Sequence, residues 1–299
     1  MALKILLTGA SGYLGSALAL RWVQAGYDVS LLLRPTSQLE RLRGFETSFN
    51  ICRFTSDVEI EAFIDETQPE IVVHTAGAYG RKGETSLHQL DTNIRFGVVI
   101  FQSLQRITRP VTFLNTGSAL PPNVSYYSLS KHQFAQWGRM CADQSNGHVR
   151  FINVLLQHIY GPGDDLSKFT THVLRACQRN DRVLDLTLGD QARDFLYIDD
   201  AVLAYDTLLA HRDKLEVISD IDVGSGDATT IRQYCELVHR LTGSHTELLF
   251  GALPYRANEP MHCQANIKKI KQLGWEPTYK LQEGLLKTIE IESLTWIDY

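Results

Sequence analysis

Short apolar segments alternate with longer amphipathic segments through the first half of the chain. The apolar segments have the length of buried strands and are apolar on both faces, as the strands of a covered parallel sheet must be. The longer segments repeat their apolar positions at the spacing of a helix. The predicted strands cover residues 3–8, 28–33, 50–54, 70–74, 111–115 and 150–156, and the predicted helices cover residues 13–25, 57–68, 87–108 and 126–146. This alternation indicates an α/β fold with a parallel sheet built by right-handed crossovers.

The pattern becomes less regular after Gly161-Pro162-Gly163, a sequence that breaks regular structure. It predicts a helix over residues 168–179, a pair of strands over 182–188 and 194–198, a helix from about residue 199, and a strand over 216–223 that rejoins the sheet. Residues 231–299 are predicted to be mostly helical. We therefore expect one lobe of residues 1–160 with about 190–223, and a smaller α/β lobe of about 161–189 with 224–299.

The first predicted strand runs directly into the glycine-rich loop Gly9-Ala10-Ser11-Gly12-Tyr13-Leu14-Gly15, which opens a helix. The first glycine permits a tight turn, the second lets the backbone approach a pyrophosphate, and the third lets the helix pack close to the strand. The helix N-terminus presents N–H groups and the positive end of a dipole to phosphate. The loop therefore predicts that the first lobe binds a dinucleotide.

The end of the second predicted strand bears on which dinucleotide is bound. An acidic residue there would hold the ribose hydroxyls of NAD(H), whereas a cation accommodates the extra phosphate of NADP(H). The strand is followed by Arg34-Pro35-Thr36-Ser37, with Arg34 at its tip and no carboxylate. We therefore expect NADP(H), with NAD(H) as the alternative.

Tyr127 and Lys131 lie four residues apart at the start of a predicted helix, which puts both side chains on one face. A nearby ammonium lowers the pKa of a phenol, so Lys131 would tune Tyr127 for proton transfer to a carbonyl oxygen. The preceding strand ends in Thr116-Gly117-Ser118, where a hydroxyl could bond the same oxygen. The pair therefore indicates a dehydrogenase or reductase.

Together these features resemble the extended short-chain dehydrogenase/reductase family. The resemblance covers nearly the whole chain and includes the glycine loop, His74-Thr75-Ala76-Gly77, Thr92-Asn93, the Tyr127/Lys131 pair, Ile159-Tyr160-Gly161-Pro162-Gly163, Arg193-Asp194-Phe195-Leu196-Tyr197-Ile198-Asp199-Asp200 and Leu273-Gly274-Trp275-Glu276-Pro277. It implies a Rossmann-type doubly wound parallel sheet with a smaller α/β C-terminal substrate lobe. It also implies a nicotinamide cofactor and a nucleotide-sugar substrate.

The resemblance assigns roles residue by residue. The implied catalytic residues are Tyr127 as acid–base, Lys131 as its tuner and ribose contact, and Thr116 as partner of the substrate oxygen, with Ser118 as the fallback. The implied cofactor-binding residues are Gly9, Ser11, Gly12, Tyr13, Leu14, Gly15, Arg34, Asp57, Thr75, Ala76, Gly77, Asn93 and Lys131. The implied substrate-binding residues are Ser118, His158, Lys168, Arg193 and Arg256, the two arginines for the diphosphate. His158, Leu155 and Glu259 depart from the usual pattern and affect the sugar and base pocket.

The resemblance also narrows the reaction. Dehydratases of the family carry an Asp-Glu pair where this chain has Gly117 and Ser118, and the epimerase-reductases that make fucose nucleotides carry a cysteine in that loop. A narrower resemblance, to nucleotide-sugar 4-ketoreductases, favours reduction of a 4-keto-6-deoxy or 3,6-dideoxy sugar. The alternatives are an NAD-dependent 4-epimerase and a non-catalytic NADP-sensing regulator. The retained Tyr127/Lys131 pair disfavours the regulator.

Composition excludes several classes of partner. A net charge of −5 disfavours nucleic acid and anionic membrane surfaces, both of which need a basic face. The five cysteines contain no Cys-x-x-Cys pair, and the histidines lack metal-ligand spacing, so we expect reduced thiols and no metal site. With no apolar run long enough to span a membrane, we expect a cytoplasmic protein.

The two helices predicted over residues 87–108 and 126–146 carry large apolar residues beyond one face, namely Ile100, Phe101, Phe134, Trp137 and Met140. Members of the family commonly pair through these helices about a two-fold axis. We therefore expect a homodimer.

Overall fold

The computed structural model describes residues 2–81 and 83–295, apart from the side chain of residue 295. The last four residues of the second predicted lobe lie outside the described residues. The chain forms two compact units. The first consists of the residues up to Leu155 together with Tyr205–Ile221, and the second of Leu156–Ala204 together with the residues from Asp222 onward.

Strands and helices alternate through the chain as the pattern predicts. The strands are β1 Lys4–Thr8, β2 Asp28–Leu33, β3 Asn50–Arg53, β4 Ile71–His74, β5 Val111–Thr116, β6 Val149–Leu156, β7 His158–Tyr160, β8 Val183–Leu186, β9 Ala192–Tyr197, β10 Ile218–Val223, β11 Ala228–Thr230 and β12 Glu247–Phe250. The helices are α1 Tyr13–Gln24, α2 Asp57–Thr67, α3 Ser86–Leu90, α4 Phe96–Leu104, α5 Tyr126–Gln144, α6 Phe169–Arg179, α7 Ile198–His211, α8 Ile231–Thr242, α9 Lys268–Gln272 and α10 Leu281–Thr295.

The described strands of the central sheet number seven, in the order β3-β2-β1-β4-β5-β6-β10. The pairs from β3 to β6 are all parallel. Strand order reverses between β1 and β4, which is where ligands bind in sheets of this kind. This is the expected Rossmann-type doubly wound fold, and the predicted strand over residues 216–223 does rejoin the sheet as β10.

Aromatic rings fill the core of the first unit because two helical glycines let them approach. A Cβ on Gly97 of α4 would lie 2.2 Å from the ring of Phe134, and one on Gly138 of α5 would lie 2.4 Å from the ring of Phe151. Phe101 stacks on Phe113 at 4.3 Å between centroids. This packing holds α4 and α5 close to the sheet.

The helix predicted over residues 87–108 is interrupted. It begins as α3, passes through one π-helical turn over Asp91–Arg95, and ends as α4 at Leu104. Such turns inside a helix are frequent at functional sites because they redirect side chains. Here the turn contains Asn93, which is buried.

The second unit corrects one expectation. The strands predicted over residues 182–188 and 194–198 do not pair with each other: β8 pairs with β12, whereas β9 lies between β7 and β11. β9 belongs to the second unit. Of the residues expected in the first lobe, 156–160, 190–204 and 222–223 group with the second unit instead. Which ligand each lobe binds stays a prediction.

No helix in the described parts of the chain is both long and apolar enough to span a membrane.

Candidate active site

The turn between β1 and α1 is built by its glycines. Gly9 has a positive φ of 73°, and a Cβ there would lie 2.6 Å from the backbone nitrogen of Ala76. A Cβ on Gly15 would lie 2.2 Å from the carbonyl oxygen of Gly9. No side chain caps the start of α1 at Gly12, which leaves its first turn, with Tyr13 and Leu14, open to a phosphate.

The loop after β4 is hydrogen-bonded to the end of β1. The hydroxyl of Thr75 donates to the Thr8 carbonyl at 2.7 Å, and the Ala76 N–H donates to the Thr8 hydroxyl at 3.4 Å. A Cβ on Gly77 would lie 3.7 Å from the ring of Tyr127. The structure therefore brings the glycine loop, residues 75–77 and Tyr127 together, as predicted from their separate motifs.

The end of β2 carries more positive charge than the sequence indicated. Arg34 is exposed, and its Nη1 lies 3.3 Å from Nε2 of His88. Arg53, at the end of β3, donates to the carbonyls of Arg34, Pro35 and Ser37 at 3.4, 3.2 and 2.8 Å. A second guanidinium group, that of Arg53, therefore lies beside the segment that follows β2.

Two other predicted cofactor residues, Asp57 and Asn93, bond to neighbouring groups of the protein. Asp57, at the start of α2, forms an ion pair with Arg95. The buried amide of Asn93 accepts from the Ala78 N–H at 2.7 Å and donates to the Ala78 carbonyl at 3.0 Å and the Ser130 hydroxyl at 2.8 Å. Asn93 thus ties the loop after β4 to the helix that carries Lys131.

A reciprocal serine cap sets the start of α5. The Ser128 N–H donates to the Ser125 hydroxyl at 3.1 Å, and the Ser125 N–H donates to the Ser128 hydroxyl at 3.0 Å. The cap fixes Tyr127 in the first turn and Lys131 one turn later. Lys131 is 2% exposed, has no hydrogen-bond partner among the described residues, and has its pKa lowered by burial to about 8. A buried ammonium without a partner fits a site for the hydroxyls of a cofactor ribose.

The electrostatics of Tyr127 differ from the expectation. Burial raises the pKa of its phenol well above the ordinary value, and the neighbouring Tyr79 adds to the increase. The two rings stack at 4.5 Å between centroids with 28° between planes. We expected a lowered pKa because of Lys131, but desolvation dominates here. Tyr127 is therefore a protonated phenol at neutral pH.

The hydroxyl residues after β5 have different surroundings. Thr116 Oγ1 lies 2.5 Å from the hydroxyl of Tyr205, a buried residue of α7. Ser118 is also buried and accepts from the Leu120 N–H at 3.2 Å. Sequence reasoning missed both Tyr79 and Tyr205, because neither belongs to a motif and only the fold brings them to the site.

The second unit gathers the predicted substrate arginines around one carboxylate. Glu259 accepts from the buried Arg193 and from the Nε of the exposed Arg256, the latter at 2.8 Å. Lys168 pairs with Asp164 at 3.0 Å, and the ring of His158 lies edge-on to Phe195. Arg193 and Arg256 therefore lie together around Glu259. In the sequence, Glu259 stood out only as a departure from the usual pattern of the family.

Two aspartates of the Arg193-to-Asp200 motif have structural partners. Asp194 accepts from the N–H groups of Ser225, Gly226 and Ala265 at 2.6, 3.0 and 3.0 Å. Asp200 accepts from the Thr278 and Tyr279 N–H groups at 2.9 Å. At these two positions the motif therefore holds separate segments of the second unit together.

Comparison with known proteins shows which family the chain matches. Residues 5–224 match the model of the NAD dependent epimerase/dehydratase family. That match covers more than half of the chain. The chain belongs to this family. Membership confirms the resemblance drawn from the motifs.

Relatives of this epimerase/dehydratase family member span its full length. CDP-abequose synthase of Salmonella typhimurium is 26% identical over 94% of this chain and 95% of its own. GDP-L-fucose synthase 1 of Arabidopsis thaliana is 22% identical over 96% and 92%. The structure of UDP-glucose 4-epimerase from Thermotoga maritima with UDP-glucose is 21% identical, with a TM-score of 0.86 over 98% of this chain and 100% of its own. The Thermotoga maritima structure therefore shares the fold over nearly the whole of this chain.

His74 gives this family member a measurable acid sensitivity. Its ring is wholly buried among phenylalanines, and Nδ1 lies 2.9 Å from the Thr8 hydroxyl. Burial, and secondarily the charge of Lys131, lowers the pKa of His74 well below its ordinary value. The unfolded chain then takes up a proton at about pH 6.5 that the folded chain does not. This contribution to stability is complete above that pH and is lost as the pH falls below it.

We therefore expect His74→Gln to flatten the acid limb of stability. Below about pH 6.5 the free energy of unfolding should fall more steeply with decreasing pH for the wild type than for the variant. The two slopes should differ by up to about 1.4 kcal/mol per pH unit. Urea denaturation between pH 5 and 7.5 measures the slopes. His245→Gln, at an exposed histidine, should keep the wild-type slope. Equal slopes for wild type and His74→Gln would contradict the assignment.

Proposed function

We propose that this protein is an NADPH-dependent reductase of a nucleoside-diphosphate 4-keto sugar of the 6-deoxy or 3,6-dideoxy class. The observation that carries the proposal is the placement of Tyr127 beside Gly77, in a member of this family, with a buried Lys131 one helical turn away. In this proposal the first unit binds the cofactor and Arg193 and Arg256 of the second unit bind the diphosphate.

Residues of the first unit have separate roles in the proposed reduction. The nicotinamide supplies hydride to C4 when it is bound. Tyr127 gives its proton to the C4 oxygen, so that ketone, hydride and proton become a hydroxyl, and it regains a proton from solvent. Thr116 holds the same oxygen, and Lys131 binds the ribose and stabilises the phenolate that forms. The other cofactor contacts stay as the motifs predict: Gly9, Ser11, Gly12, Tyr13, Leu14, Gly15, Asp57, Thr75, Ala76, Gly77 and Asn93.

Tyr127 acts in opposite senses in reduction and in 4-epimerisation. Reduction consumes a proton and starts from the phenol, whereas an epimerase first oxidises a hydroxyl and starts from a base. Burial raises the pKa of Tyr127, which is the direction that favours its use as the acid of a reduction. Dehydration needs carboxylates after Thr116, and a Cβ on Gly117 would lie 2.5 Å from Oδ1 of Asn153. The loop therefore has no room for a side chain at that position.

Glu259 supports a diphosphate as the group that Arg193 and Arg256 recognise. One carboxylate occupies both guanidinium groups, and guanidinium geometry suits carboxylate and phosphate equally. A diphosphate would replace Glu259 as their shared anion. CDP-abequose synthase and GDP-L-fucose synthase are named for nucleoside-diphosphate sugars, which agrees with this substrate class.

The decisive experiment for the reaction is its stoichiometry. With a nucleoside-diphosphate 4-keto-6-deoxy sugar, one NADPH should be oxidised per 4-hydroxy product, followed by absorbance and by chromatography of the nucleotide sugar. Tyr127→Phe, which removes only the hydroxyl, should lower turnover by about a hundredfold or more while cofactor still binds. Interconversion of 4-hydroxy epimers without net cofactor change would instead establish a 4-epimerase. Binding without turnover of either kind would favour the regulator.

The cofactor preference is tested at the end of β2. Arg34→Ala removes a charge-assisted contact to the 2′-phosphate, which should weaken NADPH about ten- to a hundredfold and NADH much less. Titration of tryptophan fluorescence with each cofactor gives the two dissociation constants. Arg240→Ala, at an exposed arginine of the second unit, is the matched control and should leave their ratio unchanged. Equal losses for both cofactors would show that Arg34 does not read the phosphate.

The related epimerase from Thermus thermophilus was solved with NAD, so NAD(H) is the alternative.

We also propose a homodimer. Ile100, Phe101 and Phe134 lie in the core, but Trp137 and Met140 of α5 are 52% and 56% exposed. On α3, which packs against α5, Leu87 and Leu90 are exposed as well. An apolar surface on two neighbouring helices can pair with itself about a two-fold axis.

Light scattering at micromolar concentration should give twice the chain mass for the wild type and the single mass for Trp137→Arg. Leu253→Glu, at an exposed leucine of the second unit, should keep the wild-type mass. A wild-type monomer would refute the dimer.

A further inference from the structure

Tyr205 lies directly behind the hydroxyl that is proposed to hold the substrate oxygen. Its side chain is wholly buried in α7, and its hydroxyl is 2.5 Å from Thr116 Oγ1. Thr116 is the last residue of β5 and retains 9% exposure. Both residues belong to the first unit. The pair is therefore a hydrogen bond between a phenol with no access to solvent and a hydroxyl at the edge of the site.

Tyr205 is buried and has no other described side-chain partner, so donation to Thr116 Oγ1 is the arrangement that leaves its proton bonded. Neither hydroxyl makes a second side-chain hydrogen bond with a described residue. A hydroxyl can donate once and accept at the same time. If Tyr205 donates to Thr116 Oγ1, the Thr116 proton stays available for an acceptor in the site. If Thr116 donated instead, it could offer a ketone oxygen no proton.

Burial keeps Tyr205 in the form that can donate. Desolvation raises the pKa of its phenol, with a smaller increase from Tyr79 that is opposed by the bond to Thr116. The bond to Tyr205 restrains rotation about the Cα–Cβ bond of Thr116 and so fixes the position of Oγ1. The proton that Oγ1 accepts also occupies the side facing Tyr205, so the Thr116 proton must point in another direction.

We propose that Tyr205 is a positioning residue: its hydroxyl donates to Thr116 Oγ1 and thereby directs the Thr116 proton toward the oxygen at C4. This inference rests on the proposed function, and it adds a residue outside the Thr116, Tyr127 and Lys131 set. No proton is transferred along the Tyr205–Thr116 bond. Tyr127 alone gives its proton to the product, while Thr116 and Tyr205 keep theirs and supply preorganised hydrogen bonds.

The test is a double-mutant cycle on turnover, using Tyr205→Phe, Thr116→Val and the double variant. Tyr205→Phe removes one oxygen and should lower kcat about three- to tenfold, the value of one hydrogen bond, with KM changed less than about twofold. Because Tyr205 acts only through Thr116, the double variant should be no slower than Thr116→Val alone. Tyr234→Phe, which removes a buried hydroxyl bonded to the Thr170 carbonyl in the second unit, is the matched control and should keep wild-type kcat.

Thr116→Ser supplies a second measurement that leaves Tyr205 in place. Loss of the methyl group frees the hydroxyl to rotate, and the bond to Tyr205 should still hold it, so kcat should stay within about threefold of wild type. In the Tyr205→Phe variant, adding Thr116→Ser should lower kcat by a larger factor than it does in the wild type. Thermal unfolding of each variant verifies that the chain is folded, and a purely structural role would not produce the split between kcat and KM.

The outcomes separate the two proposals. A wild type that turns over no nucleotide 4-keto sugar and interconverts no 4-hydroxy epimers overturns the proposed function. A wild type that is active while Tyr205→Phe keeps full kcat, or while the losses from Thr116→Val and Tyr205→Phe simply add, overturns the role of Tyr205 and leaves the proposed function standing.

Discussion

The turn after β1 approaches the loop after β4 so closely that no side chain fits at Gly9 or Gly15. The placement of residues 75–77 depends on this contact. It lets the Thr8 carbonyl and hydroxyl bond the loop at Thr75 and Ala76, and it sets Gly77 against the ring of Tyr127. In a parallel sheet the strands end at one edge, so a single close contact between two loops there aligns several functional groups at once.

Desolvation is the second constraint, and it shifts the pKa values of four groups in the first unit. Burial lowers the pKa of Lys131 and His74 and raises the pKa of Tyr127 and Tyr205, so each group is driven toward its neutral form. A neutral phenol is a proton donor, which suits the reduction of a ketone. A buried lysine without a described partner is a cation that a ribose hydroxyl can stabilise. The same burial that prepares the chemistry gives the fold its sensitivity to acid through His74.

The second unit uses carboxylates both to order loops and to hold arginines. Asp194 and Asp200 collect backbone N–H groups from distant segments, so the most recognisable motif of this half of the chain is structural at those two positions. Glu259 instead collects the guanidinium groups of Arg193 and Arg256. Because Glu259 pairs with both guanidinium groups, the charge of the buried Arg193 is not left unpaired.

The sequence alone determined the doubly wound sheet, nearly every element of the first unit, the glycine turn and the Tyr127/Lys131 pair, because local periodicity and fixed spacings along one strand or helix encode them. It did not determine which strands pair in the second unit, where short strands meet across long sequence separations. Nor did it reveal the contacts of Arg53 with Ser37, Tyr79 with Tyr127, Tyr205 with Thr116 and Glu259 with Arg193. These contacts join residues that lie 16 to 89 positions apart along the chain. The pKa of Tyr127 was predicted in the wrong direction for the same reason. Spacing reveals which charge is near, but only tertiary packing decides how much water is removed, and here the loss of water outweighs the charge.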